Sequence, residues 1–213
     1  MNRGIDGRTP GRRRKAGVLS ETGRPGSPGN RERILAVALR LFTVQGFHGT
    51  PTAQISREAG VSTGTLFHYF PDKNTLIDQL YLLIQKEVSD AVRVLDDARL
   101  PTRQRLERCL RGYLTWGMAN PGKVRFLDQF YNSPNIGDDV KREAHREFAW
   151  VEELSGAAIR EGILRDLPLD LYFVMIPRIL NGILELVGTG RSSLPPGEII
   201  ENGLNLILGS GRP

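Results

Sequence analysis

Cysteine is nearly absent from this sequence: Cys109 stands alone, so no disulfide can close within the chain, and a lone thiol fits a reducing compartment. On a helical stretch it reads as a small buried hydrophobe rather than a redox switch. Histidine is scarce as well. His48, His68 and His145 form no H-x-x-x-H or H-E-x-x-H pair, and one cysteine gives no C-x-x-C, so no metal centre is expected. G-x-x-x-x-G-K-[ST] does not occur, the letters of G-x-S-x-G occur at Gly60-Val61-Ser62-Thr63-Gly64 but between two helical stretches rather than after a strand, and Gly188-Thr189-Gly190 lacks a third glycine and follows a helix rather than a strand. Without a nucleophile, a base or a phosphate loop the chain is not expected to be an enzyme, and no cofactor is implied. Long apolar runs are missing too: none approaches the ~20 residues that span a bilayer. Only Ala16 to Leu19 follow the Arg12-Arg13-Arg14 cluster before polar residues resume, whereas an export signal needs an apolar segment of about 7 to 15. A cytoplasmic protein without membrane contact is expected.

What is present begins with charge. The net charge of +5 over 213 residues sits entirely in the leader. Residues 1–29 hold seven basic side chains against Asp6 and Glu21, while the remainder holds 22 basic and 22 acidic residues. This leader is rich in Gly, Pro, Arg and Ser with almost no large apolar side chains, so it cannot offset the entropy of ordering and reads as a disordered basic arm. Two roles stay open for it. It either neutralises phosphates, with Arg24 of Gly23-Arg24-Pro25 entering a narrow minor groove, or it is a solvated tail.

Residues 30–75 carry a slight basic excess and the rest is slightly acidic, the distribution expected when one end approaches phosphate. From Arg31 to Gln45 the apolar residues Ile34, Leu35, Ala38, Leu39, Leu41 and Phe42 follow helical spacing, and Gly46 closes that helix. Thr50 is a suitable N-cap for a second helix with Pro51 in its first turn and Ile55 and Ala59 four apart. Gly60 can adopt the left-handed conformation that stops a helix. Ser62 can then cap a third, short helix by accepting from amides 64 and 65. Two short helices meeting at Gly60 are the parts of a helix-turn-helix. The small polar set Thr63, Gly64, Thr65 permits close approach to DNA, while Leu66 and Phe70 face inward.

The run Gly60-Val61-Ser62-x-Gly64-x-Leu66-Phe67-x-Tyr69-Phe70-x-x-Lys73, followed by an apolar helix, resembles the signature of the tetracycline-repressor (TetR) family of bacterial regulators. The likeness covers about residues 30 to 80. It implies phosphate contacts from Thr52, Thr65, His68, Tyr69 and Lys73, and base-edge or groove contacts from Thr63, Gly64 and Phe67. Two positions depart from the pattern. Phe67, often Tyr in the family, offers only apolar contact, for instance to a thymine methyl, and Ala53 cannot hydrogen-bond where some members carry a base-reading side chain. Shape readout is expected to supply part of the specificity.

Asp72 is a good N-cap for a fourth helix of roughly 20 residues, ~30 Å, with Leu76, Ile77, Leu80, Leu83, Ile84, Val88 and Leu95 on one face and Lys73 in its first turn. Beyond Leu100 the pattern stays helical. Asn120-Pro121-Gly122 and Ser133-Pro134-Asn135 break it, Asp138 to Arg165 reads as one long amphipathic helix, and Pro168 to Val187 and Pro195 to Leu208 supply the last two. His145 and its interleaved acidic and basic neighbours read as a solvated face. Pro177 is expected to bend its helix, on which Arg178, Asn181 and Glu185 form one polar stripe. Gly203 permits close backbone approach on the last. Tyr113, Trp116, Met118, Phe126 and Phe130, with Phe148, Trp150, Tyr172 and Met175, concentrate in the half that in the family holds the effector. Some of these are expected to line an apolar pocket.

The expected architecture is all-α: a basic arm (1–29), a helix-turn-helix domain (30–75) and an effector-binding and dimerisation domain (76–213). The resemblance implies a homodimer through the last two helices. The function expected is a repressor that binds a palindromic operator and is released by a small molecule of unknown identity. The alternative is an architectural, weakly specific DNA-binding protein driven by its arm.

Overall fold

The computed structural model describes residues 29–133 and 138–209. The basic arm up to residue 28, Arg24 included, and the Pro134-Asn135 break lie outside the described residues. Within them the chain forms ten helices and no strand. α1 (Asn30–Gln45) buries Ile34, Leu35, Ala38, Leu41 and Phe42 and ends at Gly46, whose φ of +74° is open only to a residue without a Cβ. α2 (Thr52–Glu58) and α3 (Thr63–Tyr69) follow.

Between α1 and α2 the structure corrects the expected cap. Pro51, not Thr50, precedes the first helical residue and provides no side-chain cap. Its carbonyl accepts from the amides of Gln54 and Ile55. Thr50 is fully buried and donates its hydroxyl to the Gly46 carbonyl at 2.8 Å, so it satisfies the end of α1 rather than the start of α2.

α4 (Lys73–Arg93) starts as expected, with the Asp72 carboxylate accepting from the Thr75 amide at 2.7 Å. Its buried face runs through Leu76, Ile77, Leu80, Tyr81, Ile84, Gln85, Val88, Ser89 and Val92. Leu83 lies on the opposite face, half exposed, and Leu95 falls beyond the helix. Polar Gln85 and Ser89 take up the helical period because both find buried partners.

α5 (Thr102–Ala119) and α6 (Pro121–Tyr131) are separated at Asn120, with Pro121 opening α6 where its missing N–H is harmless. The single helix expected over 138–165 is two, α7 (Asp138–Arg146) and α8 (Ala149–Arg160). Glu147 and Phe148 tighten into i→i+3 bonds to Ala144 and His145. The Glu147 carbonyl leaves the helical ladder to accept the Ser89 hydroxyl at 2.7 Å, and the Trp150 indole donates to that same hydroxyl oxygen at 3.2 Å. A contact from α4 thus stabilises the break, and nothing in the local pattern of 138–165 encodes it.

α9 (Leu169–Thr189) and α10 (Pro196–Leu208) complete the fold. They approach closely at Gly203, where an added Cβ would stand 2.2 Å from Ile183 Cδ1. α9 is long and apolar enough by length and composition to cross a membrane, yet only 17% of that stretch is buried within this chain. Leu171, Val174, Met175 and Leu186 are exposed along it, as is Leu206 on α10.

One core joins the two ends of the molecule. Phe42 of α1 and Phe47 meet edge to face at 5.3 Å, and Phe47 meets Phe126 of α6 at 5.3 Å. Phe126 leads to Phe130 at 6.3 Å, and Phe130 stacks flat on Tyr81 of α4 at 3.6 Å. The Thr43 hydroxyl also reaches the Gly122 carbonyl at 3.3 Å. α6 therefore seals the helix-turn-helix core from below, and aromatic contacts of this kind add about 0.5–1.5 kcal/mol beyond the burial of apolar area.

Candidate nucleic-acid interface and helix-enclosed cavity

α3 is seven residues long, too short to persist in water without support. Leu66 and Phe70 anchor it, both fully buried. Ser62 caps it, its Oγ accepting from the Thr65 amide at 3.0 Å and lying 2.8 Å from the Thr65 hydroxyl. Gly60 holds φ +67°, and the Val61 amide bonds back to the Ser56 carbonyl at 3.0 Å, the wrapped C-terminal turn that requires a left-handed residue.

With its inner face pinned, α3 presents Thr63, Gly64, Phe67 and His68 outward. Thr65 and Tyr69 are half-buried, the Tyr69 ring lying edge-on to His68 at 5.5 Å. Thr52 opens α2 and Lys73 opens α4. Partial burial pulls the Lys73 ammonium below its ordinary pKa.

Ser56 was not singled out by the sequence pattern, and it orients Thr63. Its hydroxyl donates to the Ala53 carbonyl at 3.1 Å and lies 3.2 Å from the Thr63 hydroxyl. A serine has one hydroxyl proton, and a carbonyl can only accept. Thr63 is therefore the donor to Ser56, and it keeps acceptor lone pairs and a methyl group for the groove.

At the other end of the molecule α4, α5, α6, α7, α8 and α9 enclose a cavity of about 370 Å³. Val88, Val92, Leu106, Cys109 and Leu110 form a floor, each of them buried. Burial pushes the Cys109 thiol up to about 11. Of the nine residues expected to line a pocket, Tyr113, Phe148 and Tyr172 do so. The other six lie elsewhere. Phe126 and Phe130 belong to the aromatic core. Trp116 donates to Glu87 at 3.1 Å, in a cluster where Lys123 binds the same carboxylate. Trp150 is held by Ser89. Met118 and Met175 point to solvent. Helical spacing identifies apolar positions, but the side of a buried helix that faces a void depends on its neighbours.

Within the cavity's polar wall, Gln85 was not singled out by the sequence pattern. Gln85 donates to the Tyr131 hydroxyl at 2.7 Å, and Tyr113 donates to Asn181 Oδ1 at 2.7 Å. Burial raises the phenols of Tyr81, Tyr113 and Tyr131; at Tyr131 the Arg178 charge pulls the other way. Tyr172 donates to the Arg165 carbonyl at 2.8 Å. Of the polar stripe on α9, Arg178 lines the cavity, Asn181 serves Tyr113, and Glu185 is exposed, 3.8 Å from Arg191. Pro177 lines the cavity from inside α9 and offers no N–H to the Phe173 carbonyl. His145 is a correction to the solvated-face reading. It lines the cavity, sits 2.9 Å from Glu152 Oε1 and meets the Phe173 ring at 4.4 Å.

A family model described as bacterial regulatory proteins, tetR family, matches residues 34–80. The chain is 34% identical over 99 residues to the nucleoid occlusion factor SlmA of Photobacterium profundum, an alignment covering 46% of this chain and 50% of that one. It thus spans about half the length of that curated relative. It is 23% identical over 183 residues to the HTH-type transcriptional repressor AcnR of Corynebacterium glutamicum, covering 81% and 89% of the two chains. A crystal structure of a tetR family transcription regulator from Shewanella sp. PV-4 superposes with a TM-score of 0.79 at 33% identity, covering 86% of this chain and 98% of that one. One-third identity to a whole solved chain, a matching fold and a family signature on the helix-turn-helix place this chain in the TetR family of transcription regulators.

Proposed function

We propose that this protein is a cytoplasmic repressor that binds a palindromic operator as a homodimer and is released from it by a small molecule. Residues 30–75 would read DNA, and residues 76–213 would bind the effector and the second subunit. The observation that carries this reading is that α4 belongs to both sites. Lys73 opens it at the candidate DNA face, and its Tyr81, Gln85, Val88 and Val92 line the cavity. A ligand pressing on that wall moves the helix that bears the DNA head. Two recognition helices must sit about 34–36 Å apart, or a multiple of that, to enter successive major grooves, so a small tilt is enough to lose register.

On the DNA face, the exposed Thr63 hydroxyl suits a base edge such as adenine N6 or cytosine N4. Thr52, Thr65, His68, Tyr69 and Lys73 suit phosphate, and Gly64 and Phe67 suit close apolar contact. The exposed Leu171, Val174, Met175 and Leu186 of α9, with Leu206 of α10, support pairing with a second copy, because large apolar side chains gathered in water mark an interaction surface. Arg24 and the rest of the arm add phosphate contacts in this scheme.

The test is selection of bound fragments from random double-stranded DNA at physiological salt, with the full chain and with a chain lacking residues 1–29. Recovery of one palindromic site by both supports the reading. Recovery of AT-rich DNA alone, and only with the arm present, overturns it in favour of an architectural protein.

A further inference from the structure

The distribution of charge and apolar surface around the cavity restricts what can fill it. We infer that its ligand is an amphipathic carboxylate, with an apolar body seated on the α4–α5 floor and an anionic head at the rim where Arg178 and Lys141 lie. This rests on the effector reading above and adds the chemical class.

Three observations carry it. The buried floor, from Val88 to Leu110, is apolar apart from a thiol held in its neutral form, so the deep end favours hydrocarbon. Lys141 and Arg178 are the lysine and arginine of the lining, and no Asp or Glu lines the cavity among the described residues. Lys141 and Arg178 are both exposed, which places positive charge where a head group enters rather than where a tail ends. Arg178 donates one N–H to the Val174 carbonyl at 3.0 Å; the planar fork has five donors, enough to hold a carboxylate as well.

The nearby acids lie outside the lining: Glu152 sits 2.9 Å from His145, and Asp128 acts on Tyr113. Gln85, Tyr131, Tyr113 and Asn181 satisfy one another in pairs, so they form a wet wall beside the head without demanding a polar tail. At roughly 30 Å³ for each water-sized group, a volume of about 370 Å³ takes on the order of a dozen non-hydrogen atoms. A rival reading follows from the ring-rich wall, since tyrosines and phenylalanines can cage a quaternary ammonium. The Arg178 guanidinium and the absence of an acid from the described lining argue against it.

The experiment compares decanoate, decanol and decyltrimethylammonium, three ligands with one tail and different heads, by calorimetry on the full chain. Protection of Cys109 from a thiol reagent reports whether each ligand sits in the cavity. Decanoate is expected to bind at least about tenfold more tightly than decanol, the effect of one charge-assisted hydrogen-bond pair, and to protect Cys109. Arg178→Gln should remove most of that difference and leave decanol binding within about twofold, which also shows that the variant is folded. Equal binding and equal protection by decanoate and decanol would overturn the carboxylate class and leave the effector cavity standing. Tightest binding by decyltrimethylammonium would overturn it in favour of the aromatic cage. Failure of all three to bind or protect, in a chain that still selects its operator, would overturn the effector reading with it.

Discussion

Replacing Gly60 with alanine separates backbone conformation from packing more cleanly than any other change at the helix-turn-helix. Gly60 holds φ +67°, and a Cβ built there meets no atom within 4 Å, so no clash contributes. The cost is that of an L-residue in the left-handed region, about 1–2 kcal/mol. Alanine also stiffens the unfolded chain, which returns ~0.4–1 kcal/mol. The net loss of ~1 kcal/mol should lower Tm by roughly 2–4 °C in a chain of this size.

Gly162 supplies the control. It has φ +70°, equally open space and the same wrapped turn, with the Ile163 amide bonded to the Ala158 carbonyl at 2.8 Å. It ends α8, away from the candidate DNA face. Thermal melts of Gly60→Ala and Gly162→Ala should therefore show similar losses, and Gly60→Asn a smaller one, because asparagine tolerates this region. Binding to the selected operator should weaken by about fivefold, ~1 kcal/mol, in Gly60→Ala alone, as the turn relaxes and re-aims α3. An unchanged melt for Gly60→Ala, or equal operator loss in both alanine variants, would refute the argument.

Leu66→Ala, at a fully buried position, should cost about 2–5 kcal/mol and abolish operator binding; a shift in denaturant midpoint worth under ~1 kcal/mol contradicts the packing described. Ser62→Ala removes the cap on the Thr65 amide and should cost about 1 kcal/mol, with Ser62→Asp recovering it in the same melt. Arg105, paired with Asp96 at 2.8 and 2.9 Å, holds that carboxyl below its ordinary value. A depressed folded pKa contributes stability above the unfolded pKa of about 3.9 that is lost as pH falls through the folded value. Asp96→Asn should flatten the acid limb of Tm against pH below about pH 4, and an unaltered limb would show that the pair is not coupled to folding. Cys109, buried with its thiol near 11, should react with a thiol reagent at pH 8 far more slowly in the folded chain than in urea; equal rates would mean an open floor.

Much of the molecule was legible because its signals are local. The caps at Ser62 and Asp72, the turn at Gly60 and the helical spacing in α1 depend on residues within one or two turns of one another, and the structure shows each as expected. The family signature lies in the same short range. The cap at Thr50 was misplaced for a physical reason: a threonine before a proline suits a helix start, but burial gave its hydroxyl a different partner, the Gly46 carbonyl.

The cavity was far less legible. Tyr113, Phe148 and Tyr172 were expected at it, whereas Phe126 and Phe130, apolar and aromatic in the same way, went to the seam with Phe42 and Tyr81. His145 read as part of a solvated face and Arg178 as part of a polar stripe, and both stand at the cavity wall.

The sequence by itself determined the helices, the turn that joins α2 to α3 and the family, since each depends on backbone propensity and on contacts between near neighbours. Only the tertiary structure decided where 138–165 breaks, which aromatics face a void and which charges surround it. Those outcomes depend on Ser89 reaching Glu147 across 58 positions and Tyr113 reaching Asn181 across 68, pairings that exist once the helices have packed and that no local pattern records.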